Sequence, residues 1–437
     1  MTEYYRFRNI EYLIGDEYRE LEDQTIYFAS PDELNDPMEG FQDMVWSGDK
    51  IVWTNLFKHF AISLHEFMLG LKEGVVDFNA DSIPIWHSET TPQAEEWRKQ
   101  IWNSFRDVGR IHTIIEAIAN MNRKIRYREL RYYLTCIYGI VLGQILKSHA
   151  AYGIIPKPIE SVDGSSQMRI VEGLLTFIRR VGDDDSGFDD ILMSIENIRI
   201  IERITGRYNY STSATSGTMF SEFPEMYVEQ LKRLLWPKWY TACFTASYHN
   251  SSLWGHYADK HKGVCLIFET VGTGQPNFEK RFHKVNYVDR LPLVDFFRSI
   301  GTAALDSVMK HWYTDENGNV SECASQEREI AWQQTLWRRF ICTVTSKTRD
   351  WEYENEYRII ANEVSLGDDN ENDHTLSYKF SLLKGIIFGI KTSDGDKRKI
   401  IEIVKRKCEE HNRTDFQLSQ AYYSHRYGNI RAEKIQL

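Results

Sequence analysis

Between about Val45 and Pro237 the apolar residues recur every three or four positions, and on either side of that block they do not. Leu56, Phe60, Leu64, Phe67, Met68 and Leu71 fall into this register, as do Ile101, Phe105, Val108, Ile111, Ile115 and Ile118, and then Leu130, Leu134, Ile137, Val141 and Ile145. Such spacing lays one apolar stripe along a helix, so the block predicts an all-helical module. The flanks carry short strand-like runs instead: YYRFR, TIYFAS, WYTACFTAS, GVCLIFET, FHKVNYV, EYRIIANEV and GIIFGI. EYLIGDEYRELED and KRKIIEIVKRKCEE read as helices among them, and a helical stretch from about Leu293 to Thr348 is broken by DENGNVSECAS. EYRIIANEV and LSYKFS predict a hairpin across the acidic SLGDDNENDH. The expected fold is α+β: a mixed or antiparallel sheet domain, residues 1–44 and 237–437, split by a large all-helical insertion, residues 45–236.

Charge and cysteine usage narrow the function classes. A formal net charge of -10 argues against bulk nucleic-acid binding. The run Arg123, Lys124, Arg126, Arg128 and Arg131 reads as a solvated helix face rather than a basic groove. The six cysteines are scattered without a CxxC pair, which points away from zinc and disulfide frameworks and towards a reducing cytoplasm. The longest apolar stretch, YYLTCIYGIVLGQIL, is too short to span a bilayer and reads as a buried helix. MTEYYRFRNI has no apolar signal region, so a cytoplasmic protein without a membrane partner is expected.

Six stretches carry a resemblance in combination: YYRFRN, YFASPDELNDPMEG, CFTASYHNSSLWGHYADKHKGVCLIFE, VNYVD, WEYENEYRI and IIFGI, in this order. The chain resembles a bacterial family known as domain of unknown function 2971 over roughly residues 4–43 and 240–425. That resemblance implies no activity, so chemistry has to come from the residues.

Within WEYENEYRII, strand alternation would place Glu354 and Glu356 on one face, roughly 7 Å apart. Paired carboxylates repel unless a cation or a hydroxyl-rich ligand lies between them, and Arg358, Lys347 or Arg349 could simply neutralise them. Alternatively the pair grips a ribose. Cleaving a ribosyl bond passes through an oxocarbenium-like cation, which Glu356 would stabilise while Glu354 activates the acceptor. Glu356→Gln is then expected to abolish nicotinamide release and leave folding intact.

In order and chemistry the chain is also similar, more distantly, to ADP-ribosyltransferases. That similarity implies that Arg6 binds a pyrophosphate or ribose, that Thr245 and Ser247 end a ligand-binding strand, and that the Tyr257 ring stacks on nicotinamide. It makes NAD the substrate and Glu354 and Glu356 the catalytic pair, although the middle motif is not a plain Ser-Thr-Ser. Trp254, Asn35 and Asp36 complete the candidate pocket, with packing as the plainer role for Trp254 and turn capping for Asp36. Asn250 or Ser251 would cap the helix that carries Tyr257. His256 and His261 lack a third ligand, so no metal site is expected there.

Three functions stay open. One is a NAD-consuming transferase or glycohydrolase, an effector of toxin or antiphage-defence type whose helical insertion engages a protein partner. A second is a nuclease with Mg²⁺ on Asp36, Glu39, Glu354 and Glu356. The third is a binding module for a nucleotide, small molecule or protein.

Overall fold

The computed structural model describes residues 2–41, 43–86, 91–108, 110–156, 164–182, 219–270, 282–324, 329–362 and 374–436, with scattered positions between 190 and 205. The chain folds as α+β, in two compact units. One comprises residues 1–42, 237–292 and 340–437; the other comprises residues 43–236 and 293–339. Residues 293–339, expected with the sheet, therefore group with the helices.

The first unit is built on an eight-stranded sheet, whose strands are β1 (Thr2–Arg8), β2 (Trp239–Thr245), β3 (Val264–Thr270), β4 (Phe282–Lys284), β5 (Glu356–Asn362), β6 (Leu383–Phe388), β7 (Gln417–Ser424) and β8 (Asn429–Lys434). Their spatial order is β8-β7-β6-β3-β1-β2-β5-β4. Neighbours are antiparallel except β6 and β7.

Both faces of the centre are buried, which explains why GVCLIFET is apolar throughout. Val264, Leu266 and Phe268 of β3 join one core with Ala242, Phe244 and Ile359. Cys265 and Ile267 point into a second core with Phe7, Leu253 and Trp254. Ile400 and Val404 of the helix Asp394–Glu410 cover the first face. Ser393 starts that helix by accepting the Asp396 amide at 3.1 Å.

Several local expectations are corrected. EYLIGDEYRELED forms two short helices, Ile10–Ile14 and Glu20–Asp23. The hairpin does not form: Thr375–Ser377 pairs with Thr25–Tyr27, while β5 pairs with β2 along one edge and with β4 at Tyr357–Ile359 on the other. Its acidic connection, residues 363–373, lies outside the described residues.

The second unit contains the helices Lys50–Glu73, Pro92–Val108, Ile111–Ala119, Tyr127–Ala151, Gly164–Val181 and Met219–Gln230, with a small sheet of Asp43–Trp46, Ile125–Arg126 and Leu293–Asp295. Asp49 caps the first of these helices by accepting the amides of Ile51 and Val52. The stretch YYLTCIYGIVLGQIL is part of the buried helix Tyr127–Ala151, and among the described residues no helix is long and apolar enough to cross a membrane. The basic run is largely paired within this unit: Arg123 grips Glu129, Arg126 meets Asp43 at 3.4 Å, and Arg131 meets Glu225 at 3.1 Å.

Candidate functional site

A cavity of about 1010 Å³ opens within the sheet-bearing unit. Its lining comes from β1 and the short helices after it, from β2, from the end of the helix Ser251–Tyr257, and from Lys347, Glu354 and Glu356. Arg6, Asn35, Thr245, Tyr257, Glu354 and Glu356 of the expected site all reach it.

The acid pair converges by a route other than strand alternation. Glu354 ends a 3₁₀ segment, Arg349–Glu354, and Glu356 begins β5. Between them Asn355 takes a left-handed conformation, φ 44° and ψ 53°, which Asn tolerates better than most residues. Lys347 then draws the carboxylates together: its Nζ lies 2.9 Å from Glu354, 3.1 Å from Glu39 and 3.4 Å from Glu356. Arg358 Nε donates to Glu356 at 2.8 Å, and its two terminal nitrogens grip Glu39 at 2.9 and 2.5 Å. Arg349 takes no part, pairing instead with Asp289 at 2.6 Å.

All five charged groups are buried, three carboxylates against two cations, a formal excess of one negative charge. Burial pushes the Glu356 carboxyl upwards, but Arg358, Lys347 and the Cys243 thiol outweigh it and hold the group at about 2. Burial lowers the Lys347 ammonium, and Glu356, Glu39 and Glu354 more than reverse this.

Glu354 is the member of the network turned to other work. Tyr257 Oη donates to Glu354 Oε1 at 2.6 Å while Lys347 holds Oε2. Each carboxylate oxygen accepts more than one hydrogen bond, so Oε1 retains capacity for a ligand. Burial, then Glu354, pushes the Tyr257 phenol upwards, which keeps it a donor. Thr245 supports this corner from β2, its hydroxyl donating to the Glu354 carbonyl at 2.7 Å.

Arg6 is buried, donating to the Tyr27 carbonyl at 2.9 Å and the Cys243 carbonyl at 3.3 Å, with Nε unpartnered. Burial and the neighbouring Arg8 lower it to about 10. Arg8 is paired with Glu20, while the Arg6 guanidinium lies over the Phe244 ring, 5.5 Å from its centroid, and its hydrogen bonds go to carbonyls.

Three candidates do other jobs. Trp254 is fully buried, packs edge-on against Phe7 and donates to the Tyr248 carbonyl at 2.7 Å; it is core, not a wall of the cavity. Ser247 accepts the His249 amide at 3.2 Å and lies off the lining. Asp36 accepts the Met38 amide at 2.9 Å, a turn contact, and also lies off the lining. Asn250 caps the Tyr257 helix by accepting from Ser252 at 2.8 Å. His256 lines the cavity, whereas His261 turns to Ser251.

Sequence reasoning missed Cys243 and Tyr287. WYTACFT carried the signal for Cys243, because alternation puts Thr241, Cys243 and Thr245 on one side of β2, and all three line the cavity. Tyr287 accepts the Glu356 amide at 2.8 Å; nothing in NYV announces that role. For a divalent ion the cluster is poorly suited, because Lys347 and Arg358 already occupy the space between Glu39, Glu354 and Glu356. Among the described residues no set of three ligating side chains is arranged around a vacant centre.

Comparison with curated proteins returned no match, and comparison with solved structures returned none. A family model does match, over a shorter stretch than the roughly 4–43 and 240–425 expected, and that stretch includes Tyr257, Lys347, Glu354, Glu356 and Arg358. Across residues 253–359 the chain is similar to the family described as protein of unknown function (DUF2971).

Proposed function

We propose that the cavity handles an ADP-ribosyl donor, as a NAD-hydrolysing or ADP-ribosyl-transferring enzyme. The observation that carries this reading is the meeting of Arg6, Tyr257, Glu354 and Glu356, from three distant parts of the chain, around one cavity of about 1010 Å³. A buried acidic patch favours a developing oxocarbenium ion, and an arginine with an unpartnered Nε favours a phosphate.

The geometry supports a division of labour different from the one first expected. Glu356 is held by Arg358 and serves as an anchor. Glu354, fixed by Lys347 and Tyr257, is the carboxylate placed to stabilise the ribosyl cation and accept the proton of an attacking nucleophile. In hydrolysis, water oxygen bonds to the anomeric carbon, nicotinamide leaves with the electrons of the glycosidic bond, and Glu354 takes the water proton. Consumption of NAD would suit an effector in bacterial conflict.

Incubation of the full chain with NAD, following nicotinamide release and melting temperature together, tests the proposal. Release that disappears in Glu354→Gln, with the fold retained, is the expected result. Absence of both nicotinamide release and thermal stabilisation at millimolar NAD would overturn it. The nuclease alternative gains nothing from the geometry, since Asp36 is turned away from the other three acids' cavity and cations already bridge those acids.

A further inference from the structure

The helical unit holds a cavity of its own, about 330 Å³, which the reading above does not use. That volume sits at the small end of the range of about 300–1,000 Å³ typical of ligand pockets. Its apolar part is formed by Ile51, Ile62 and the buried Trp102. Its polar part is dominated by basic groups, chiefly Lys58, Lys310 and Arg106.

The charges there are not balanced by protein. Lys50, also on the lining, is paired with Glu116 at 2.5 Å, and Arg106 with Asp107 at 3.2 Å and Glu316 at 3.9 Å. Asp315 is consumed by its own turn, accepting from the amides of Asn317 at 2.9 Å and Asn319 at 2.8 Å. Lys58, half-buried, and Lys310 have no acidic partner among the described residues. His59 is held by protein groups, its Nε2 donating to the Ile85 carbonyl at 2.9 Å and its Nδ1 hydrogen-bonded to the Tyr227 hydroxyl at 2.8 Å. Two ammonium groups without acidic partners thus line one small cavity, Lys58 half-buried and Lys310 exposed, and an anion there would supply the missing counter-charge.

Backbone geometry points the same way. Lys310 and His311 are presented by a π-helical turn, Met309–Tyr313, a rare conformation concentrated at functional sites. Asn55 braces that turn, donating to the carbonyls of Trp312 at 2.8 Å and Thr314 at 3.2 Å.

We propose that this cavity binds a phosphorylated small molecule of nucleoside-monophosphate size, its phosphate between Lys58 and Lys310 and its planar body against Ile62 and Trp102. The site belongs to the helical unit alone and is independent of the NAD reading.

Calorimetry and thermal shift on the full chain test it, with AMP as probe and adenosine and inorganic phosphate as comparators. AMP should bind more tightly than either comparator. Lys58→Gln and Lys310→Gln should each weaken AMP about tenfold, the scale of one charge-assisted hydrogen bond, without changing the unliganded melting temperature. Lys58→Arg should retain binding, which separates lost charge from lost fold. Glu354→Gln in the other unit should leave AMP affinity unchanged. Absence of AMP binding, equal binding of adenosine, equal binding of phosphate alone, or affinity indifferent to both lysine substitutions would each overturn the proposal.

Discussion

The Tyr257 hydroxyl donates to Glu354 Oε1 at 2.6 Å across a sequence separation of 97 positions. This bond joins the helix after β2 to the turn before β5, and it distinguishes Glu354 from Glu356, whose oxygens are held by Arg358 and Lys347.

Tyr257→Phe removes that donor and keeps the ring. Nicotinamide release should fall roughly a hundredfold, the size of a lost acid–base or positioning contact, while stability falls by about 1 kcal/mol, the net value of one hydrogen bond. Steady-state kinetics beside urea denaturation checks both. Unchanged turnover would remove Tyr257 from the mechanism.

Glu356→Gln is not the shape-only change that its place on a strand suggested. It takes the charged acceptor from Arg358 Nε, yet Arg358 keeps Glu39 and Lys347 keeps Glu39 and Glu354, so the cluster becomes formally balanced and a loss of about 1–3 kcal/mol is expected, the scale of a charge-assisted hydrogen bond. Denaturant titration should show a lowered midpoint with the slope preserved. A midpoint equal to wild type would mean the network is looser than its distances indicate.

Acid should act on the two units in separate windows. Burial and the adjacent His149 hold His65 at about 4, below its ordinary 6.5, so the unfolded chain binds more protons between these values and stability of the helical unit falls as pH drops from about 6.5 towards 4. Glu356, held at about 2 against an ordinary 4.5, contributes stability that is complete above about 4.5 and is lost from there down to about 2. Amide exchange followed against pH should lose protection in the helices before the sheet. The reverse order would contradict both shifts.

Gly263→Ala should damage the turn that follows Tyr257. Residues Asp259, Lys260 and His261 all have positive φ, and a Cβ at Gly263 would collide with the Arg8 carbonyl oxygen and lie 3.0 Å from the Ala258 backbone. The strain is expected to cost about 1–3 kcal/mol, read as a lowered melting temperature. No loss would show that β1 can shift away from the turn.

The helical spacing of Leu56 to Leu71 was legible because it buries one face at the helix period, and GVCLIFET because a short apolar run with both faces buried reads as a central strand. The hairpin was not, since strand partners depend on which edges distant segments have filled, and Thr25–Tyr27 claims Thr375–Ser377 instead. Which residues line the cavity was more legible than how they are arranged there. Arg6, Tyr257 and the two glutamates stood out as types, but Asn355 changes the backbone direction between the acids, a local conformation that period-two reasoning cannot register. Trp254 was ambiguous for a simple reason: an aromatic on a short helix looks the same whether it faces a core or a cavity.

β1 lies in the middle of the sheet, yet the β2 and β3 segments that flank it are translated only after roughly 230 further residues, a separation that makes its pairing strongly non-local. At roughly 5–20 residues per second, a nascent chain would hold an aromatic-rich strand without neighbours for about 10–50 s. During that interval Arg6 and Glu39 exist without Lys347, Glu354 or Arg358, so the charged cavity is absent until synthesis has passed β5. The last part of the cluster to be made is therefore the part that brings both of its cations.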